Sequence, residues 1–150
     1  MKSTKIAIIG QGYVGLPLAT AFGKHFETIG FDINEYRINQ LKTFIDSTKQ
    51  LLEIDLKNAS YLQFSSRQED IVNSNIYIIT VPTPINQFKS PDLTLLLKAT
   101  DMIARILKKG DLVIYESTVY PGCTEEECVP LLEKISGLVY NSDFFIGYSP

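Results

Sequence analysis

With 150 residues, the chain has the length of one domain with a single sizeable core. Its composition is ordinary for a globular protein, 45% hydrophobic and 21% charged, and its formal net charge of -3 argues against nucleic acid or an anionic membrane as a partner. No apolar run approaches the roughly 20 residues that span a bilayer. Residues 1–10 pass into a strand-like run without the apolar segment of a signal peptide, so we expect a cytoplasmic protein.

Strand-like and helix-like segments alternate along the chain. Short apolar runs predict strands at 5–9, 27–32, 61–65, 75–81, 111–115 and 143–148. Helical spacing predicts helices after Gly12, over 35–44, in a turn at 67–72, from Pro91 to about Lys108, and over 124–134. Residues 46–60 fit a helix or a loop equally. The alternation predicts an α/β fold with a doubly wound, mostly parallel sheet and helices on both faces.

A glycine-rich turn, Gly-Gln-Gly-Tyr-Val-Gly, joins the first predicted strand to the first predicted helix. Gly10 permits a tight turn, Gly12 lets the backbone approach a pyrophosphate, and Gly15 allows the helix to pack closely on the strand. The N–H groups of the helix N-terminus attract phosphate, so Tyr13 and Val14 belong to the same predicted site. Because both flanks have the right pattern, the turn predicts a Rossmann-type fold that binds a dinucleotide.

An acidic residue, Asp32, ends the second predicted strand. It follows Gly10 by about 20 residues, the spacing at which an acid binds the adenosine ribose. Its charge would repel a 2′-phosphate, which predicts NAD rather than NADP. We expect Ile33 in the same contact, and Arg37 either beside the adenine or as a surface charge.

Two polar loops follow the fourth and fifth predicted strands. Open parallel sheets bind ligands at the carboxyl ends of their strands, so both loops are expected at the cofactor edge. The proline-rich first loop either brings the Thr83 hydroxyl to the nicotinamide ribose or only ends its strand. The candidate cofactor contacts on the two loops are Val81, Pro82, Thr83, Glu116, Ser117 and Thr118.

The two cysteines, Cys123 and Cys128, are expected to be reduced thiols, and no metal site is predicted. The single histidine, His25, is distant in the sequence, and residues five apart on an α-helix point in different directions. A helix N-terminus near Cys123 would lower the pKa of its thiol.

Three segments together resemble the N-terminal domain of the UDP-glucose/GDP-mannose dehydrogenase family: the glycine turn with Phe-Asp-Ile-Asn, Thr-Val-Pro-Thr-Pro, and Glu-Ser-Thr-Val-Tyr-Pro-Gly. The resemblance covers essentially the whole chain and implies one NAD-binding domain over residues 1–150. Such enzymes oxidise C6 of a nucleotide sugar from alcohol to carboxylate, reduce two NAD and pass through a cysteine-bound intermediate. The resemblance implies that Thr118 is catalytic and positions the water or hydroxyl at C6, with Thr83 and Glu116 flanking the nicotinamide.

The same resemblance places the family's catalytic cysteine, its lysine and the substrate domains after residue 150, so residues 1–150 are predicted to be inactive alone. Cys123 does not match the position of the nucleophile. The run 143–150 is similar to the start of the family's Ser-Pro-Glu-Arg segment. Details of the motifs favour the branch that acts on UDP-N-acetylhexosamines for surface polysaccharides, with UDP-glucose as another possible substrate. The family resemblance implies that the intact enzyme is a homodimer.

Three alternatives stay open from the residues. The chain could be the cofactor domain of a 6-phosphogluconate or 3-hydroxyacid dehydrogenase, although Glu-Ser-Thr-Val-Tyr-Pro-Gly is atypical of both. It could be a non-catalytic dinucleotide-binding module, although the end at Ser149 and Pro150 favours an excised segment. It could also be a structural module whose glycine turn binds nothing.

Overall fold

A six-stranded sheet forms the centre of the computed structural model, which describes residues 2–149. The strands are β1 (Lys5–Ile9), β2 (Glu27–Phe31), β3 (Leu62–Ser65), β4 (Ile76–Ile79), β5 (Leu112–Tyr115) and β6 (Phe145–Tyr148). Their spatial order is β3-β2-β1-β4-β5-β6, and all five pairings between these strands are parallel. This is the Rossmann strand order. The predicted fold is therefore confirmed, and Pro150 lies outside the described residues.

Helices cover both faces of the sheet, as the alternation of β1 shows. The α-helices are α1 (Gly15–Phe22), α2 (Glu35–Lys42), α3 (Glu53–Asn58), α4 (Thr94–Ala104) and α5 (Val129–Ser136). Ile8 packs in one cluster with Ala19 of α1, whereas the neighbouring Ile9 lies in the cluster that holds Ile103 of α4 and Leu132 of α5. Successive strand residues face opposite sides, so a strand that is apolar throughout is buried on both. A short 3₁₀ helix at Gln68–Ile71 matches the helical turn predicted at 67–72.

Helix α4 is shorter at both ends than the predicted helix. Pro91 pairs with Ile85 in an isolated bridge instead of starting the helix. At the other end, the Ile106 N–H donates to the Ile103 carbonyl in a tight turn. The Asp111 carboxylate then accepts from the Lys108 N–H and directs the chain into β5. These local hydrogen bonds compete with the apolar stripe that continues to Leu107.

The last helical segment begins as a π-helix, Thr124–Cys128, ahead of α5. The Val129 N–H donates to the Thr124 carbonyl five residues earlier, a wider turn than in an α-helix. As a result, Cys123 and Cys128 are both fully buried in the same core cluster, so the prediction that they diverge is wrong. Both thiols are free. Burial raises the pKa of Cys123, contrary to the lowering expected at a helix N-terminus, and raises the pKa of Cys128 to about 11.

No helix within residues 2–149 has the length and apolar character to cross a membrane. No group of three or more histidine, cysteine, aspartate or glutamate side chains in that range is arranged to hold a metal ion.

Candidate cofactor site

A cavity of about 730 Å³ lies at the carboxyl ends of β1, β2 and β4, where the strand order reverses. Its volume is within the range of small-molecule sites, and its position is the usual one for ligands of open α/β sheets. The predicted residues that line it are Gly10, Gly12, Tyr13, Val14, Asp32, Ile33, Arg37, Val81, Pro82, Thr83, Ser117 and Thr118. Two predicted residues, Gly15 and Glu116, are not part of the lining.

The glycine turn lies between β1 and α1, and its first and last glycines shape the backbone. Gly10 has a φ of 102°, a conformation that side chains disfavour, and its N–H donates to the Phe31 carbonyl over 2.8 Å. A Cβ on Gly15 would overlap the Gly10 carbonyl oxygen and lie 2.5 Å from Thr80 Oγ1. Gly15 therefore permits the helix to approach the strand end, and it acts from behind the cavity.

Gly12 faces the open side of the turn, where a pyrophosphate could approach. A Cβ on Gly12 would meet no heavy atom within 4 Å. The N–H groups of Gly12, Tyr13 and Val14 have no hydrogen-bond partner within residues 2–149. Helix α1 has no side-chain N-cap and no acidic residue in its first turn, so no side chain of the helix itself compensates its partial positive charge. The turn therefore fits an anionic group such as a pyrophosphate.

Asp32 is half-buried at the end of β2, and both of its carboxylate oxygens are already oriented. Oδ2 accepts from the Gln11 N–H at 2.8 Å, and Oδ1 accepts from the Asn34 N–H at 2.9 Å. Each carboxylate oxygen can accept a second hydrogen bond. The carboxylate is thus fixed against the glycine turn with acceptor capacity left for a ribose hydroxyl.

Arg37 is neither a surface charge nor a free cation at the cavity. Arg37 is only 8% exposed to solvent, so the expectation of a surface charge is wrong. Its Nε donates to the Gln11 carbonyl at 3.0 Å, and its Nη1 lies 2.9 Å from Asp46 Oδ1 in an ion pair. Arg37 lines the cavity with a guanidinium that the protein itself occupies.

The two polar loops meet at the cavity and are hydrogen-bonded to each other. Ser117 Oγ donates to the Val81 carbonyl at 2.7 Å, and Thr83 Oγ1 donates to the Thr118 carbonyl at 2.5 Å. Ser117 is 4% exposed, which makes it a link between the loops, whereas the Thr118 side chain is exposed at the rim. Glu116 continues the sheet instead, since its N–H donates to the Ile79 carbonyl.

One wall of the cavity was not predicted from the sequence. Helix α4 contributes four residues to it, and the loop after α2 contributes Thr48. The four are Leu95, Lys98, Ala99 and Met102. Their spacing of three, four and seven residues from the first is that of a single helix face, adjacent to the core stripe. That spacing was the signal available in the sequence, but nothing in it distinguishes a cavity wall from a solvated face.

The chain matches the family model described as UDP-glucose/GDP-mannose dehydrogenase family, NAD binding domain, over residues 4–150. It is 58% identical over 150 residues to UDP-N-acetyl-D-glucosamine 6-dehydrogenase of Pseudomonas aeruginosa, covering 100% of this chain and 36% of that protein. It is 52% identical to protein CapL of Staphylococcus aureus, covering 97% of this chain and 34% of that protein. The chain thus spans about a third of the length of these relatives.

Solved structures agree with the sequence matches. UDP-D-ManNAc dehydrogenase from Pyrococcus horikoshii superposes with a TM-score of 0.91 at 34% identity, covering 98% of this chain and 36% of that one. GDP-mannose dehydrogenase from Pseudomonas aeruginosa, solved as a ternary complex, gives a TM-score of 0.91 at 26% identity, with coverage of 98% and 36%. The predicted family and the predicted cofactor, NAD, are confirmed. The chain belongs to the UDP-glucose/GDP-mannose dehydrogenase family and corresponds to its NAD-binding domain.

Proposed function

We propose that the complete protein is an NAD-dependent UDP-sugar 6-dehydrogenase in which residues 1–150 form the cofactor-binding domain. The substrate is a UDP-N-acetylhexosamine, whose C6 alcohol is oxidised to the carboxylate. The observation that carries this proposal is the 58% identity, over the full chain, to an enzyme named UDP-N-acetyl-D-glucosamine 6-dehydrogenase. The product is an acidic sugar donor for surface polysaccharides, the enzyme is a homodimer by family resemblance, and it works in the cytoplasm, where NAD is available.

The geometry supports a specific placement of the dinucleotide. The unpartnered N–H groups at Gly12, Tyr13 and Val14 hold the pyrophosphate at the N-terminus of α1. Asp32 accepts hydrogen bonds from the adenosine ribose, because its oxygens are fixed beside Gln11. Ile33, exposed at the cavity, packs against the adenosine.

The nicotinamide half lies against the two linked loops. NAD, when bound, accepts the hydride that leaves C6 of the alcohol. The Thr83 hydroxyl donates to the Thr118 carbonyl and so fixes the main chain of Thr118 at the rim, where the exposed Thr118 hydroxyl positions water or the C6 hydroxyl. Val81 and Pro82 also line the cavity. Glu116 reaches the nicotinamide only from the edge of the site, since it is absent from the cavity lining.

The cysteine nucleophile of the reaction is supplied from outside residues 1–150. Cys123 is fully buried, and burial raises the pKa of its thiol, so it is protonated and out of reach of a substrate at neutral pH. Its carboxylate neighbours Glu125, Glu126 and Glu127 raise the pKa further. The chain alone therefore binds cofactor but completes no oxidation.

The test is a calorimetric titration of residues 1–150 with NAD and with NADP, together with a search for NADH formation on addition of UDP-N-acetylglucosamine. We expect saturable binding that favours NAD, and no NADH from this domain. The complete protein should form two NADH per UDP-N-acetylhexosamine and turn over UDP-glucose less efficiently. The proposal would be contradicted if neither NAD nor NADP bound, or if residues 1–150 formed NADH.

A further inference from the structure

A buried ion pair lies at the β2 side of the cavity, and its arginine, Arg37, lines the cavity. Arg37 Nη1 and Asp46 Oδ1 are 2.9 Å apart, and the two side chains are 9% and 0% exposed. Arg37 also donates from Nη1 to Ser47 Oγ at 3.2 Å and from Nε to the Gln11 carbonyl at 3.0 Å. The guanidinium therefore connects the glycine turn to the loop that follows α2.

Asp46 organises that loop as well as pairing with Arg37. Its Oδ1 accepts from the N–H and the hydroxyl of Thr48, at 3.0 and 2.6 Å, and its Oδ2 accepts from the N–H groups of Gln50 and Leu51, at 2.9 and 3.0 Å. Burial alone would raise the pKa of Asp46, but the hydrogen bonds from Thr48, Leu51 and Arg37 together lower it to about 2. Asp46 is therefore ionised throughout the physiological pH range, and its negative charge always compensates Arg37.

This matters because Rossmann domains that bind NADP use an arginine near the end of the second strand to receive the 2′-phosphate. Arg37 lines the same cavity as Asp32 and lies in the first turn of α2, shortly after Asp32 in the sequence. By position it could accept a 2′-phosphate. Its Nε and Nη1 donors are directed instead to the Gln11 carbonyl, Asp46 and Ser47, and its Nη2 lies 3.5 Å from Thr48 Oγ1.

We propose that Asp46 is a specificity residue for the cofactor: it engages the Arg37 guanidinium and so withholds a cation from the 2′-phosphate of NADP. Discrimination then has two parts. Asp32 repels the phosphate directly, and Asp46 removes the compensating charge beside it. Asp46 acts through Arg37 and Thr48, both of which line the cavity, and it is a positioning residue. The inference depends on the proposed placement of the adenosine ribose at Asp32.

The test is the ratio of the Kd for NADP to the Kd for NAD in Asp46→Asn, measured by calorimetry on residues 1–150. Asparagine keeps the size and one acceptor of the side chain, but it removes the negative charge that pairs with Arg37. We expect the ratio to fall about tenfold or more, the usual effect of a new hydrogen bond to a charged group, and NADP binding to become more sensitive to salt. NAD affinity should change much less.

The chain offers a matched control in Asp101→Asn. Asp101 also pairs with an arginine, Arg105, at 2.8 Å, but this pair is exposed on α4 and neither residue lines the cavity. The same substitution there should leave both dissociation constants unchanged. A double variant, Arg37→Gln with Asp46→Asn, disturbs the same loop without freeing a cation, and should keep the ratio of the unsubstituted chain.

The outcomes separate the possible failures. An unchanged ratio in Asp46→Asn, or an equal fall in the single and double variants, overturns the inference, because loosening of the loop would then explain the change. If thermal unfolding shows that Asp46→Asn does not fold, the two dissociation constants are measured on the double variant instead, in which both side chains are uncharged. A higher ratio there would mean that Arg37 already contacts the 2′-phosphate, which also overturns the inference. Failure of the unsubstituted chain to bind NAD contradicts the proposed function instead.

Discussion

Replacement by alanine at two glycines of the same turn should affect two different properties, stability at Gly15 and cofactor binding at Gly12. In Gly15→Ala, the new methyl group would overlap the Gly10 carbonyl oxygen, and it would lie 2.5 Å from Thr80 Oγ1 and 2.9 Å from the Gly10 carbonyl carbon. Most of these atoms are backbone, so α1 must move away from β1. Overpacking of this kind costs about 3 kcal/mol, against a total stability of about 5–15 kcal/mol for a domain. At this chain length, the melting temperature should fall by about 6–12 °C.

Gly12→Ala should leave the stability of the fold almost unchanged and weaken the binding of NAD. Its Cβ would meet no atom within 4 Å, and Gly12 is not among the positive-φ glycines. A surface change of this type alters stability by about 0.5 kcal/mol or less. The methyl group would, however, occupy the space through which the pyrophosphate reaches the N–H groups of the turn, so the Kd for NAD should rise at least about tenfold.

Circular dichroism during thermal unfolding and calorimetric NAD titration measure the two effects separately. Each variant serves as the control for the other, because both add one methyl group to the same turn. The reasoning would be refuted if Gly12→Ala bound NAD as tightly as the unsubstituted chain, or if Gly15→Ala kept the original melting temperature.

Two further predictions concern the acidic residues beside the cavity. Asp32→Ala removes the ribose acceptor and the repulsion of a 2′-phosphate, so calorimetry should show weaker NAD binding and a narrower gap between NAD and NADP; unchanged selectivity would count against the role of Asp32. Folding lowers the pKa of Asp46 from 3.8 to about 2, so its stabilisation, about 2 kcal/mol, is complete above pH 3.8 and is lost as the pH falls towards 2. Urea unfolding between about pH 5 and pH 2 should therefore show a steeper loss of stability in the unsubstituted chain than in Asp46→Asn, and parallel curves would contradict this.

The order of strands and helices could be predicted because burial determines it. Residues 5–9 and 75–81 are almost continuously apolar, and strands of that kind are covered on both faces in a parallel sheet. The glycine turn added local evidence, since Gly15 has a packing constraint that only glycine satisfies. Hydrophobic pattern and turn chemistry agreed, and the predicted sheet was correct.

The loop at residues 46–52 could not be predicted because side-chain hydrogen bonds, rather than apolar spacing, determine its course. One buried carboxylate, Asp46, accepts from Arg37, Thr48, Gln50 and Leu51. In the sequence it appears as one more charged residue in a polar segment. The π-helix at Thr124–Cys128 was missed for a related reason, since a single wide turn leaves the average helical period of 124–134 almost unchanged.

The same distinction separates residues that contact a ligand from residues that hold the site together. Ser117 and Arg37 carry the polar groups typical of ligand contacts, yet their donors are used by the Val81 carbonyl and by Asp46. Gly12 and Asp32 keep unused hydrogen-bonding capacity that faces the cavity. The sequence predicts which residues gather at the carboxyl edge of the sheet, because topology brings them there. Only the hydrogen-bond partners show which of them are still free to bind, and in this domain Nε and Nη1 of Arg37 are already bound within the protein.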